Sequence, residues 1–409
     1  MKSFTYSELN TTGIPYYGIL AILGIIASIG LVSAWYMEHS GHYVTGMTNQ
    51  VVWGLPHVFA VFLIVSASGA LNVASIGSVF GRLAYKPLAR LSGLLAIALL
   101  VGGLSVLLLD LGRPDRLIVA MTHYNFKSIF AWNIFLYTGF IAIAAIYLWT
   151  LMDRSIKSLS FYAGIAMFIW RLALTTGTGL IFGFLVAREA YDAALLAPLF
   201  IAMSFAFGLA IFILVLIGIS AADNRPLGNY IVQRMGNLMV IFIASNLYFI
   251  TIQHLTGLYA AEHTEFETFL LTSGSIYTWQ FWIIQIGMGC FLPLIILMRP
   301  QKSLSRRSVI VSSVLVIIGG LAQLYVIIIG GQAYPLILFP GMIEESSFFD
   351  GVINNYVPSF PELGLGIGGI AISAILVVIG TKILRFLPVS LADSEMDPNN
   401  KPLETEPTK

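Results

Sequence analysis

The ionisable residues that could do chemistry in this chain are few, and they lie inside or at the ends of long apolar runs. His57 and His254 are the two histidines within such runs, and Asp110 closes the third run in the sequence LLLDLGRPDR. A histidine and a carboxylate at one depth could together bind and deprotonate a hydroxyl-bearing headgroup, because imidazole titrates near neutral pH. We therefore take His57 and Asp110 as the candidate catalytic pair. The alternative for either histidine is an ordinary packing role.

Arg171 is the one formal charge well inside an apolar run, in the sequence FIWRLALTTGTGL. Thr175 and Thr178 follow at i+4 and i+7, on the same face of a helix. A charge at this depth is expensive, so it marks either a hydrated path for protons or ions, or a structural tie between helices. No carboxylate occurs at comparable depth in another run, so its partners must be carbonyls, hydroxyls, water, or amides such as Asn246 and Gln323.

The elements that must position these residues are membrane-spanning helices. Of the 409 residues, 58% are hydrophobic and only 10% are charged, and a surface this apolar is solvated by lipid. We therefore predict an all-α integral membrane protein of the bacterial or archaeal cytoplasmic membrane. A helix needs roughly 20 apolar residues to cross a bilayer. Ten segments qualify, at about 15–37, 52–78, 91–109, 128–151, 160–186, 194–220, 235–257, 278–298, 309–330 and 363–384.

Charge in the loops predicts the orientation of these spans. Sixteen of the 21 Lys and Arg residues fall on the side that carries the termini, four fall on the opposite side, and Arg171 lies within a span. Because cytoplasmic loops are enriched in Lys and Arg, both termini are predicted to be cytoplasmic. The net charge of +1 argues against a nucleic-acid partner. The single cysteine, Cys290, argues against a disulfide, a Cys-ligated metal site or an iron–sulfur cluster held by this chain alone.

Several stretches together resemble the NrfD/PsrC family of membrane subunits, over about residues 10 to 385. They are WGLPHVFAVFLIVSASGA, LLLDLGRPDRL, SIFAWNIFLY, FLVAREAYDAALLAPLFIAMSFAFGLA and WQFWIIQIGMGCFLPLIIL, together with IIGGQAYPLILFPG. The ten spans and the last stretch resemble in particular the membrane subunits of sulfite-reductase-associated complexes. The resemblance implies a membrane domain over 15–386, with two four-helix bundles at about 52–186 and 194–330 and flanking helices. The polar residues 1–14 would form a cytoplasmic N-terminus, and the polar, Pro-containing, non-periodic end of the chain predicts a disordered cytoplasmic tail over 387–409.

The resemblance also implies a function. Such subunits carry no haem or iron–sulfur cluster and bind an exchangeable quinone, either menaquinone or ubiquinone. They pass electrons between it and a ferredoxin-like iron–sulfur subunit docked on the extracytoplasmic face, in complexes with further membrane and cytochrome subunits. Asp110 would face the quinone while Arg113, Asp115 and Arg116 brace the rim. The implied quinone-site residues are His57, Asp110, Arg113, Asp115, Asn133, Arg188 and Tyr191.

Family members have also been proposed to move protons. In this chain, that role would assign a proton path to Arg171, Thr175, Thr178, Asn246 and Gln323. Gln323 stands where many relatives carry arginine, so this chain departs from the pattern there.

Three other interpretations of the sequence stay open. Two bundles with a mid-membrane arginine would suit a secondary transporter, although the core lacks an acidic residue and paired Gly/Pro-interrupted helices. A purely structural anchor for soluble redox subunits would assign His57 no chemistry. Two span histidines are also the minimum for a haem, but their spacing is not diagnostic of one.

Overall fold

The computed structural model describes residues 4–299, 304–336 and 351–398. Within these residues, ten helices are long and apolar enough to cross a bilayer, and the prediction of an all-α multi-spanning protein is confirmed. In chain order, spans one to ten are Ile14–Ser40, Leu55–Ser78, Leu83–Leu109, Ile129–Met152, Lys157–Gly183, Leu196–Ala222, Asn229–Tyr259, Ile276–Leu297, Arg306–Ala333 and Phe360–Ile383. Short helices at Leu117–Thr122, Thr264–Thr272 and Asp393–Met396 lie between or after them.

Both ends of the described chain lie on one face of the protein, which we call the terminal face; the opposite one is the distal face. The strand Tyr6–Ser7 pairs antiparallel with Leu387–Pro388. Arg225 joins the two, since Nη1 donates to Ser7 Oγ at 2.8 Å and to Pro388 O at 3.1 Å. The segments before span one and after span ten are therefore fixed to the loop that follows span six.

The described part of the segment 387–409 differs from the disordered tail that the sequence suggests. The carboxylate of Asp393 accepts hydrogen bonds from the first backbone N–H groups of span seven, including that of Asn229 at 3.1 Å. This cap lets span seven begin six residues before the predicted position 235, because it satisfies N–H groups that a helix start leaves free. Met396 is buried beside it. Residues 399–409 lie outside the described residues.

The spans form two groups of four with two additional helices. Spans two to five contact one another, as do spans six to nine, and span two packs along span six where the groups meet. We call these groups the first and the second bundle. Span one packs against span ten, which in turn lies on spans two and three of the first bundle.

The two bundles meet at a crossing of glycines. A Cβ atom at Gly69 in span two would lie 1.6 Å from the carbonyl oxygen of Ser204, and one at Gly208 in span six would lie 2.2 Å from the backbone of Gly69. The two helix backbones therefore touch directly. Small residues allow such close approach in membranes, where helix association depends on packing.

Two spans of the second bundle contain π-helical turns. Span eight is π-helical over Gln280–Phe291, and span nine is π-helical over Val326–Gly330. The two spans approach closely, because a Cβ atom at Gly289 would lie 2.6 Å from the Cα atom of Gly319. A π-helical turn inserts an extra residue and rotates the side chains that follow, and such turns are frequent at functional sites.

We expect Gly208→Ala to lower the thermal unfolding midpoint of the purified protein, because the added methyl group overlaps the backbone of span two. Overpacking of this kind costs about 1–3 kcal/mol. Gly218→Ala is the matched control in the same helix, since nothing lies within 4 Å of a Cβ atom there. Equal midpoints for the two variants would show that the bundles do not meet in this way.

Candidate active site

The predicted pair of His57 and Asp110 comes together at the distal face. His57 lies in the first turn of span two, and Asp110 directly follows span three. His57 Nδ1 is 2.8 Å from Asp110 Oδ2, and the two side chains are 17% and 1% exposed. The contact is short but not aligned for a hydrogen bond. Among the described residues, Nδ1 and both carboxylate oxygens lack a hydrogen-bond partner.

This arrangement is unusual for a buried carboxylate. Leaving such a group without hydrogen bonds costs free energy, and nearly all buried polar groups in proteins are paired. The pair is therefore arranged for a partner that brings both a donor and an acceptor.

A second histidine faces the same carboxylate. His42 Nε2 is 4.0 Å from Asp110 Oδ1, and the His42 side chain is 31% exposed. Asp110 thus lies between a largely buried imidazole and one that reaches the distal surface. The sequence reasoning missed His42, although it stands in the loop EHSGHYV, which precedes span two on the same face.

Aromatic rings form a wall beside His57. The ring of Trp53 stacks on the imidazole at a centroid distance of 6.1 Å and an interplanar angle of 27°. Phe182 and Phe130 meet Trp53 edge-on at 5.7 and 6.2 Å. Flat apolar walls of this kind suit an aromatic or quinoid ring, which gains from stacking and from edge-to-face contact. The sequence reasoning missed Trp53, four residues before His57 in WGLPH.

The loop that carries Trp53 is held by one side chain from the end of span nine. Gln332 Oε1 accepts hydrogen bonds from the backbone N–H groups of Val52 and Trp53, both at 3.0 Å. Its Nε2 donates to Trp53 O at 3.0 Å and to Ile328 O at 2.7 Å. The position of Trp53 beside His57 therefore depends on a residue about 280 positions away.

A buried carboxylate at the start of span ten fixes the rest of this loop. Glu362 accepts hydrogen bonds from the N–H of Gly46 at 2.8 Å, the N–H of Ser359 at 2.7 Å and the hydroxyl of Tyr356 at 2.6 Å. Tyr356 Oη in turn accepts from the N–H of Leu55 at 2.7 Å. Burial raises the pKa of Tyr356 above its usual range, so its hydroxyl keeps the proton that it donates to Glu362.

The charged residues after Asp110 lie apart from the pair. Arg113 and Asp115 form an exposed ion pair, with Nε 3.1 Å from Oδ1, and the hydrogen bond from Arg113 lowers the pKa of Asp115. Among the described residues, no hydrogen bond or ion pair joins either of them to His57 or Asp110.

The other three predicted quinone-site residues hold backbone in place. Arg188 donates to Gln50 O at 2.7 Å and to Gln332 O at 3.1 Å, and burial lowers its pKa. Tyr191 is buried and donates to the carbonyl of Ile328 at 2.9 Å. Asn133 Nδ2 donates to the carbonyls of Ile129 and Gly177, which ties span four to span five.

The five residues of the predicted proton path fall into two clusters, one in each bundle. Arg171 Nη2 donates to Asn72 Oδ1 at 3.0 Å, while Nε and Nη1 lack hydrogen-bond partners among the described residues. Thr175 donates to Ser68 Oγ at 2.6 Å, and Thr178 donates to the carbonyl one turn before it. Asn72 is therefore the neutral amide partner of the guanidinium, in place of Asn246 or Gln323, whereas Ser68 donates to the backbone carbonyl of Arg171 at 3.0 Å.

The second cluster is a reciprocal pair of amides. Asn246 Nδ2 donates to Gln323 Oε1 at 2.9 Å, and Gln323 Nε2 donates to Asn246 Oδ1 at 3.3 Å. In the described part of the chain, no hydrogen bond joins this pair to the Arg171 cluster.

A family profile described as "Polysulphide reductase, NrfD" matches residues 43–335, which hold spans two to nine and the His57–Asp110 pair. The chain belongs to this family. The match leaves out spans one and ten, and with them Glu362. Membership in the NrfD family and the ten apolar helices establish a multi-pass protein of the cytoplasmic membrane.

Relatives of known name are similar along most of the chain. An Hdr-like menaquinol oxidoreductase integral membrane subunit of Archaeoglobus fulgidus is 28% identical over 94% of this chain and 96% of its own length. A protein of Halobacterium salinarum named for the membrane subunit of a dimethyl sulfoxide reductase is 27% identical, over 94% of each chain. A selenate reductase subunit of Mesobacillus selenatarsenatis is 24% identical over 68% of this chain and 73% of its own. Two of these relatives are thus named as membrane subunits of an oxidoreductase or a reductase, and the third is named as a reductase subunit.

We expect Gln332→Leu to lower the unfolding midpoint and to change the emission of Trp53, because two backbone N–H groups lose their acceptor. Leaving a fully buried donor unpaired costs about 1–3 kcal/mol, and these two N–H groups are partly buried. Gln233→Leu is the control, since Gln233 donates to Leu304 O at 3.1 Å near the terminal face. The emission of Trp53 is obtained as the difference between each variant and the same variant that also carries Trp53→Phe. The assignment is wrong if Gln332→Leu and Gln233→Leu have the same unfolding midpoint and the same Trp53 emission.

Proposed function

We propose that this chain is the quinone-interacting membrane subunit of a redox complex, and that the quinone headgroup binds beside His57, Asp110 and Trp53. The observation that carries the proposal is the buried His57–Asp110 pair, whose facing atoms lack hydrogen-bond partners among the described residues. A quinol hydroxyl supplies a donor and a quinone oxygen supplies an acceptor. The Archaeoglobus relative is named as a subunit of a menaquinol oxidoreductase, which supports a quinone as the substrate. Menaquinone and ubiquinone are the two candidate quinones.

The residues of the pair would perform the proton chemistry. In the oxidising direction, Asp110 or His57 accepts a proton from the quinol hydroxyl, and a protonated His57 is stabilised by the carboxylate 2.8 Å away. His42 gives that proton a route to the distal surface because it is both close to Asp110 and partly exposed. In the reducing direction, the same groups donate protons. The substrate supplies the electron chemistry, and the protein supplies binding and proton transfer.

We propose that the electrons pass to or from a ferredoxin-like iron–sulfur subunit docked on the distal face. The exposed Arg113–Asp115 pair lies on the loop next to Asp110 and would contact that subunit. Within the family, the ten spans and IIGGQAYPLILFPG favour DsrP, the membrane subunit of the sulfite-reductase-associated DsrMKJOP complex, which has further membrane and cytochrome subunits. Residues 337–350, which include the end of that stretch, lie outside the described residues. Neighbouring genes for a sulfite reductase and a four-cluster ferredoxin-like protein would support this assignment.

We expect Asp110→Asn in the assembled complex to lower quinol turnover by about a hundredfold or more, since a positioned general base contributes that much. His57→Gln should act in the same direction. A quinol analogue should raise the unfolding midpoint of the native complex but not of either variant.

Asp153→Asn is the matched control, because Asp153 follows span four on the terminal face, where it accepts hydrogen bonds from Ser155. Its turnover should equal that of the native complex. If Asp110→Asn also retains full turnover with an intact complex, the chain is a structural anchor and the proposed site is wrong.

We further propose that the Arg171 cluster takes part in proton movement across the membrane. Its support is a fully buried guanidinium that has one side-chain hydrogen bond, to Asn72, and no carboxylate partner among the described residues. Such a group favours internal water, which can relay protons.

For the Arg171 cluster, we expect Arg171→Met to reduce proton uptake per electron in proteoliposomes while quinol turnover falls much less. Arg154→Met, at an exposed loop position, is the control and should change neither quantity. Equal loss of proton movement and turnover, together with a lower unfolding midpoint, would assign Arg171 a structural role.

A further inference from the structure

The second bundle contains another histidine–carboxylate pair, which the proposed quinone chemistry does not use. His254 lies near the distal end of span seven, and Glu267 lies on the short helix Thr264–Thr272. His254 Nδ1 is 2.7 Å from Glu267 Oε2, in a hydrogen bond, and the side chains are 18% and 4% exposed. In the first pair too, Nδ1 of the histidine faces the carboxylate, at 2.8 Å, and both side chains are largely buried.

A small polar cavity lies against this pair. It has a volume of about 40 Å³, and its polar lining consists of His254, Glu267, Gln253, Gln285 and Gln323. The amide oxygens of Gln253 and Gln285 are buried and lack hydrogen-bond partners among the described residues. Two orphaned acceptors beside one cavity require a donor within it.

A second, smaller cavity continues the first toward the middle of the membrane. It shares Gln285 and Gln323 with the first cavity and adds Asn246, while the rest of its lining is apolar apart from Cys290. Polar side chains therefore run from His254 to the Asn246–Gln323 pair and end there. His254, whose side chain is 18% exposed, lies at the end of this row nearest the distal face.

The size of the cavity determines what it can bind. A buried water needs roughly 10–15 Å³ of such volume, so the first cavity holds two or three waters. A drug-sized ligand needs about 300 Å³ or more. The cavity therefore fits water molecules and not a ligand of that size.

The π-helical turns form part of this cavity. Gln285 lies within the π-helical stretch of span eight, and Val326 and Ile327 begin that of span nine. Since π-helical turns are less stable than α-helix and persist where they serve a site, their meeting here supports a function for the cavity.

We propose that His254, Glu267 and the adjoining cavity form a second protonation site, which binds internal waters and exchanges protons with the distal face. A proton moves between water and the His254–Glu267 pair, and no electron moves with it. The site would act on its own, without quinone in it. Titratable or charged groups on the surrounding elements are Arg188, Glu189, Tyr191, Glu262, His263, Glu265, Tyr277, Tyr325 and Tyr334.

The test is infrared difference spectroscopy of the whole protein in nanodiscs, recorded as the pH is changed in H₂O and in D₂O. We expect Glu267→Gln to remove one carboxyl band, and His254→Gln to shift it. Glu262→Gln is the matched control, because Glu262 is exposed and lies on the same connection, 3.7 Å from His263. An unchanged carboxyl spectrum in Glu267→Gln overturns the proposal.

The role of internal water is tested by Gln285→Leu, which removes one orphaned acceptor and fills part of the cavity. We expect the Glu267 band to exchange its proton for deuterium several-fold more slowly than in the native protein. Equal exchange rates, with an unchanged unfolding midpoint, would show that water does not reach Glu267 through this cavity.

Quinol turnover separates this proposal from the proposed quinone site. Glu267→Gln should retain turnover within about twofold, as expected for sites that share no contacts, whereas Asp110→Asn should lose it. If Glu267→Gln loses turnover as Asp110→Asn does, the pair serves the quinone reaction and does not form a separate site. If neither variant affects turnover but the carboxyl band is lost, the second site stands and the quinone site fails.

Discussion

A buried polar group inside this protein must find its partner within the protein, because lipid supplies none. On the distal side, three long polar side chains supply hydrogen bonds to the backbone of the loops. Glu362 accepts hydrogen bonds from two backbone N–H groups, and Arg188 donates to two backbone carbonyls. Gln332 accepts from the N–H of Trp53 and donates to the carbonyl of Trp53. Each of them joins segments far apart in the chain. The loops before span two therefore form a fixed cover over the ends of spans two and three.

Against this background, the two histidine–carboxylate pairs differ in what they leave unpaired. His254 and Glu267 satisfy each other, and the orphaned acceptors belong to the two glutamines beside the cavity. In the first pair, the orphaned atoms are those of His57 and Asp110 themselves. The same residue types thus support different chemistry. The first pair leaves its own atoms without partners, whereas the atoms of the second pair are bonded to each other beside a cavity lined by amides.

The sequence allows the ends of the ten spans to be predicted within three residues, except for the starts of spans three and seven, which lie eight and six residues earlier than predicted. The spans are recognisable because hydropathy over roughly 20 residues is a local property. The approach of His57 to Asp110 could also be anticipated, since both fall at the distal ends of neighbouring spans. Trp53 and Glu362 could not be placed in the same way, because their positions depend on hydrogen bonds between residues about 280 to 316 positions apart. His42 could not be placed either, because its approach to Asp110 depends on the path of a loop. The sequence predicts disorder for the whole tail because a polar segment without periodicity is typical of disorder. The hydrogen bonds from the start of span seven to Asp393, which hold the first part of the tail, cannot be predicted from composition. The π-helical turns could not be predicted, because the apolar sequence of spans eight and nine does not distinguish them from α-helix.

Span two links the features of the first bundle, and its course limits how they can be coupled. His57 lies at its distal end, while Ser68 and Asn72 contact Thr175 and Arg171 near its middle. Fifteen residues separate His57 from Asn72, or roughly 22 Å along a helix. The intervening residues of span two are mostly apolar and buried, so it offers no continuous polar path between the two sites. Gly69 lies next to Ser68 and touches span six directly. Any coupling between the proposed quinone site and the Arg171 cluster would therefore act through the position of span two, and not through a polar path along it.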